Sequence, residues 1–269
     1  MSKSYALIGT GRMGSALARG VIEAGLADRS KVTAFDTDRD RLAALAGQLG
    51  FRPSGSAMEA VEGADVTILA VKPNVVRRVL VEIAEVSESR LVVSIAAGIE
   101  IGAIEKALPK EARVIRAMPN IACSVGEGAT AFALGSRATD DDAATARMLF
   151  ESVGKAVQVQ ESMLHAVTGL SGSGPGFLCD VVEGLIEGAV ESGLKKELAV
   201  ELALQTVAGS VRTLQETHQS PDELRKSVAT PGGTTMAGLA ELERADVRGA
   251  FRRAVEAATR RSEELAGER

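Results

Sequence analysis

Residues Tyr5–Gly25 read YALIGTGRMGSALARGVIEAG, an apolar run that breaks on a glycine-rich hexad and resumes as a helical pattern. Within the hexad Gly9–Gly14 the glycines have separate tasks. Gly9 permits the tight turn, Gly11 lets backbone approach a pyrophosphate, and Gly14 allows close packing of helix on strand. Thr10, Arg12 and Met13 fill the same turn, and the helix that follows offers free N–H groups and a partial positive charge to phosphate. The bare pattern is weak, but here a strand precedes it, a helix follows it, and the next strand, VTAFD, ends in the acid Asp36. That context predicts a dinucleotide-binding loop. Asp36 is placed to accept from an adenosine ribose 2′-OH, which leans toward NADH, or else to cap the next helix; Arg39 and Arg41 are placed for the 2′-phosphate of NADPH.

Working outward, KVTAFD, DVTILAV, RLVVSIA and ARVIRAM repeat the strand character of the opening run. Their continuous apolar make-up suits a parallel sheet covered on both faces. Between them, MGSALARGVIEAG, DRDRLAALAGQLG and NVVRRVLVEIAEV carry apolar residues at helical spacing. This alternation predicts an α/β fold, a Rossmann-type doubly wound parallel sheet over residues 1–160 that ends after the β-like run KAVQVQ. From 161 to 269 the pattern is all helical, with broad faces of Ala, Gly, Val and Leu. About a hundred such residues leave apolar surface that a second copy would cover, so a C-terminal dimerisation domain and a homodimer are expected.

Composition narrows the partners. A formal charge of -5, with basic residues scattered among acids, and an aromatic content of 3% argue against nucleic acid or an anionic membrane surface. No run approaches the roughly 20 apolar residues of a membrane helix, and the opening residues turn to glycine too soon for a signal peptide. A cytoplasmic protein is expected. Cys123 and Cys179 form no CxxC pair, and no His, Cys or carboxylate cluster has metal-ligand spacing, so no metal is expected.

Three further segments end strands at the sheet edge where ligands of open parallel sheets bind. Ala70, Val71, Lys72 and Pro73 form AVKP, in which Lys72 reads as a cofactor contact or as a solvated lysine. Ala96 and Ala97, in SIAAG, are small enough for a nicotinamide ring to sit close. Pro119 and Asn120 stop the strand RVIRAM and lead into a loop suited to lining a cleft, or into a plain turn. Far along the chain, TPGGTTMAGLAELE at Thr230–Glu243 has the make-up of an open helix N-terminus, with a helix cap as the simpler reading.

Taken in order, IGTGRMG, VKPNVVRRVL, SIAAGI, RAMPN, VTGLSGSGPGFL and TPGGTTMAGLAELE resemble the pyrroline-5-carboxylate reductase family, from about Ala6 to Ala257. The resemblance implies a nicotinamide-binding domain followed by a helical dimerisation domain, NADPH or NADH as hydride donor, and 1-pyrroline-5-carboxylate as the small-molecule substrate reduced to L-proline. The active site it implies lies between the nicotinamide and helical elements of the dimer, and dimers of the family often assemble into larger rings. Gly232, Gly233 and Thr234 would then hold the substrate carboxylate, and Thr235 would face the ring nitrogen as the catalytic, orienting and proton-relaying residue. Glu161 and Ser171 match positions near the substrate. This chain departs from the family pattern at Arg12, where Asn is common, and at Gly176, where Ala is common.

Overall fold

The computed structural model describes residues 3–267. It opens with β1 (Tyr5–Ile8), α1 (Arg12–Glu23), β2 (Val32–Phe35), α2 (Arg39–Leu49), β3 (Arg52–Pro53), α3 (Ala57–Val61), β4 (Val66–Leu69) and α4 (Pro73–Ile83). β5 (Leu91–Ser94), α5 (Ile101–Ala107), β6 (Arg113–Met118), β7 (Gly128–Leu134), α6 (Asp140–Glu151) and β8 (Gly154–Gln158) complete the sheet. Its order is β3-β2-β1-β4-β5-β6-β7-β8, and every neighbouring pair is parallel except β6 with β7. The strand order reverses between β1 and β4, the switch point where ligands of such sheets bind.

Period-two alternation divides each strand between two cores. Tyr5 and Leu7 pack with Leu17, Val21, Leu42 and Leu149 on one face. Ala6 and Ile8 pack with Val76, Leu80, Ile83, Ile101 and Ile104 on the other. Each fully buried Leu or Ile contributes about 1.5–3 kcal/mol relative to exposure, so the sheet is held from both sides.

All five strands expected in the parallel part are present. β3 and β7 were not expected. β3 has only two residues and carries Pro53, which an edge strand tolerates. β7, GATAFAL, is reached through a 3₁₀ turn at Ile121–Val125 and Gly126, whose φ of 77° reverses the chain.

The chain then forms α7 (Leu164–Val167), a π-helical turn at Thr168–Gly172, α8 (Gly174–Glu191), α9 (Lys196–Thr217), α10 (Pro221–Val228), α11 (Thr234–Arg244) and α12 (Val247–Gly267). Two compact units emerge, one running to Ser173 and regained from Glu256 onward, the other spanning Gly174–Val255. The compact units part after Ser173, while strand character ends with β8 at Gln158, next to the expected 160/161. Leu164, 1% exposed, is part of the second core of the sheet, and His165 Nδ1 lies 3.0 Å from Ser262 Oγ of the returning segment. In the second unit α8 packs on α9, and no residue of α8, α10 or α11 is buried.

Candidate active site

The glycine loop sits at the switch point. Gly9 has φ of +100°, its N–H donates to Phe35 O at 2.8 Å, and a Cβ there would stand 2.5 Å from Ala70 O. A Cβ on Gly14 would overlap the Gly9 carbonyl, whereas one on Gly11 would meet nothing within 4 Å. Gly11 is the N-cap of α1, without a side-chain cap and without an acid in the first turn. The loop is thus tight against the protein at Gly9 and Gly14 and open at Gly11, a cradle into which a side chain at Gly11 would intrude. These features fit the pyrophosphate of a nicotinamide dinucleotide.

Beside the loop lies a cavity of about 430 Å³, lined among others by Gly9, Gly11, Asp36, Thr37, Arg41, Ala70, Val71, Lys72 and Arg78. A larger groove, about 770 Å³, runs along α4 and α5 past Val76, Leu80, Ile99 and Ala103. The smaller cavity is the better site, because it adjoins the open helix N-terminus and the glycine loop at the switch point.

Asp36 is 6% exposed and fully engaged inside the chain. Its Oδ2 accepts the N–H and hydroxyl of Thr10 at 2.6 and 2.9 Å, and its Oδ1 accepts Asp38 N–H at 2.9 Å and Arg41 Nη2 at 2.8 Å. Burial pushes its carboxyl up, but the hydrogen bonds from Asp38, Thr10 and Arg41 outweigh burial and hold it below the usual carboxylate range. A carboxylate offers about four acceptor positions. All four are engaged within the chain. The cap of α2 is Asp38, which accepts Arg41 N–H.

Lys72 is the exposed N-cap of α4, with Pro73 in its first turn. Ala96 is buried and Ala97 exposed where β5 ends. Asn120, after Pro119, fastens two segments: Nδ2 donates to Ser171 O and Oδ1 accepts Ala129 N–H, both at 3.1 Å. Ser171 Oγ donates to Val167 O within the helical turn. Glu161 Oε1 accepts Ile101 N–H at 2.7 Å and Arg116 Nη1 at 2.9 Å. Its partner Arg116 is 4% exposed. The sequence reading does not include Arg116; the available signal is an arginine between Ile115 and Ala117 in mid-strand, because a buried charge demands a partner.

In the second unit the stretch from Thr230 builds a helix start without a side-chain cap. Gly232 has φ of +73°, Gly233 is the N-cap of α11, and Thr230 O accepts Gly233 N–H at 3.0 Å. Neither Thr230 nor Thr234 caps the helix, and no acid stands in its first turn. The first N–H groups of α11, at Thr234, Thr235 and Met236, are the donors such a terminus presents.

Residues 161–265 match the family model for pyrroline-5-carboxylate reductase dimerisation, and residues 4–98 that for coenzyme F420-dependent NADP oxidoreductase. A pyrroline-5-carboxylate reductase of Methanosarcina acetivorans is 43% identical to this chain, over 98% of each. The chain belongs to the pyrroline-5-carboxylate reductase family. The likeness to this reductase family extends to three dimensions: the Coxiella burnetii reductase aligns with a TM-score of 0.94 at 34% identity, over 99% of both chains. The Plasmodium falciparum pyrroline carboxylate reductase, solved with NADP bound, aligns at 0.88 and 30% identity over 98% of both.

Proposed function

We propose that this chain reduces 1-pyrroline-5-carboxylate to L-proline, the last step of proline synthesis, using NADH or NADPH. The observation that carries this reading is the open N-terminus of α11 on its two glycines, in a chain whose other unit bears the dinucleotide cradle. The reduced nicotinamide supplies a hydride to the carbon of the ring C=N bond. The chain's own residues do the rest.

The substrate is a five-membered imine with one carboxylate. First-turn N–H groups of α11 and the helix dipole suit that carboxylate. Gly232, in a backbone conformation that disfavours side chains, and Gly233, beside Thr230 Oγ1, keep the approach clear. Thr235 orients the ring nitrogen through its hydroxyl, which titrates far too high to act as a strong acid. The ring nitrogen already carries its proton in the iminium form, so its carbon is electrophilic, and it keeps that proton in the secondary amine of the product. Catalysis is then mainly proximity and alignment.

On the cofactor side, the N–H groups after Gly11 receive the pyrophosphate, with Arg12 and Met13 in the same turn. Ala70, Val71, Ala96 and Ala97 line the adjoining strand ends, and Pro119 and Asn120 shape the next loop. Glu161 and Ser171 act on the substrate side through the segments they fasten. The helical region from 161 onward serves homodimerisation, and a ring of dimers is compatible with it. No helix among the described residues is long and apolar enough to cross a membrane, in keeping with a cytoplasmic enzyme.

The test follows loss of reduced-nicotinamide absorbance on adding 1-pyrroline-5-carboxylate. Oxidation of either cofactor is expected, and Thr235→Ala should lower kcat by about tenfold or more with cofactor Kd little changed. No oxidation with either, in protein that binds the cofactor, overturns the reading. Equal turnover in the variant removes Thr235 from the mechanism.

A further inference from the structure

Arg41 stands at the rim of the cavity beside the glycine loop, past the carboxyl end of β2 where an adenosine ribose lies in such folds. Each of its two terminal nitrogens donates to a carboxylate. Nη2 donates to Asp36 Oδ1 at 2.8 Å and Nη1 to Asp38 Oδ2 at 2.9 Å. The Asp36 contact is enclosed, with that side chain 7% exposed, but the Asp38 contact is half open, with Arg41 and Asp38 at 46% and 47%. One guanidinium therefore faces two carboxylates, and the cluster is net negative.

Other charged groups stand farther along the same cavity or are engaged elsewhere. Arg39 is turned to Ser54 O and Gly55 O, at 2.9 and 2.6 Å, with its guanidinium 5.0 Å from the Phe35 ring centre. Lys72, Arg78 and Glu82 line the same cavity from the segment after β4, a strand two places from β2 in the sheet. A 2′-phosphate approaching the remaining N–H donors of Arg41 thus meets the like charges of Asp36 and Asp38, whereas a 2′-hydroxyl carries no charge for them to repel.

Resting on the reading of this cavity as the adenosine site, we propose that Asp38 determines cofactor preference by offsetting the charge of Arg41, so that NADH binds more tightly than NADPH. Asp36 is a positioning residue in this arrangement: it holds Thr10 on one side and Arg41 on the other, and it is not itself the ribose ligand.

Calorimetric titration of the full-length protein with NADH and with NADPH, without substrate, tests the proposal in the wild type, Asp38→Ser and the double variant Asp38→Ser with Arg41→Ala. Serine retains an oxygen for capping α2, and Asp38→Asn serves as a second variant with the same loss of charge. The expected result is a wild-type Kd for NADPH above that for NADH, a ratio lowered about fivefold by Asp38→Ser, and loss of that gain in the double variant. The proposal is overturned by wild-type preference for NADPH, by an unchanged ratio in both single variants, or by the same gain without Arg41. Binding of neither cofactor would overturn the nicotinamide reading itself; binding of both with an unchanged ratio would leave that reading standing and remove only the role of Asp38.

Discussion

Gly11 and Gly14 lie one helical turn apart and should respond to a side chain in opposite ways. Gly14 faces the Gly9 carbonyl at overlap distance, so Gly14→Ala should lower stability by about 2 kcal/mol in a urea melt. Gly11 faces open space with an ordinary φ of -63°, so Gly11→Val should melt close to the wild type yet lose most dinucleotide affinity. A Gly11→Val protein that binds normally would show that the cradle is not the pyrophosphate site. The glycines were legible in the sequence because each answers a backbone demand that no other residue meets. Asp36 is harder to read for the converse reason. A carboxylate serves a ribose, a helix cap or a loop clasp equally well, and only the positions of Thr10 and Arg41 decide among them.

Among the elements, β6, α5 and the segment before α7 meet through one side chain. Glu161 binds the first N–H of α5 and the buried Arg116 of β6. Glu161→Gln leaves a buried guanidinium without its counter-charge and should cost about 2 kcal/mol, read from the denaturation midpoint. Glu216→Gln, which removes the partner of Arg212 in a pair about two-thirds exposed on both sides, should leave that midpoint in place. Equal effects would deny the Arg116 contact its special place. The five parallel strands are readable because apolar residues predominate in each, as in YALI, VTIL and LVVS. β7 was not, because it is built largely from Gly, Ala and Thr, whose strand signal is weak until β6 and β8 flank it. The expected boundary at 160/161 rests on the end of strand character, and the packing of Leu164 against the sheet is a separate matter of tertiary contact that periodicity does not show.

For the whole molecule, the second unit presents apolar side chains along its helices, including Leu185, Leu198, Leu202, Leu204 and Leu242, each at least 44% exposed. Such a surface is expected to close against a second copy. Leu202→Glu combined with Leu204→Glu, both on α9, should halve the mass measured by light scattering while the melt of the first unit persists; an unchanged mass would place the interface elsewhere. The sequence pattern foretold this surface, since broad Ala, Gly and Leu faces cannot all be covered within four helices. It did not foretell that α12 begins in the second unit and ends in the first. That crossing has a bearing on the order of events at the ribosome. Domains generally fold as they are made, but the segment from Glu256 that completes the first unit is synthesised only after all of Gly174–Val255. The dinucleotide-binding unit, first to emerge, is thus among the last to finish, and a nascent chain halted before Glu256 would display a sticky second unit beside an unfinished first.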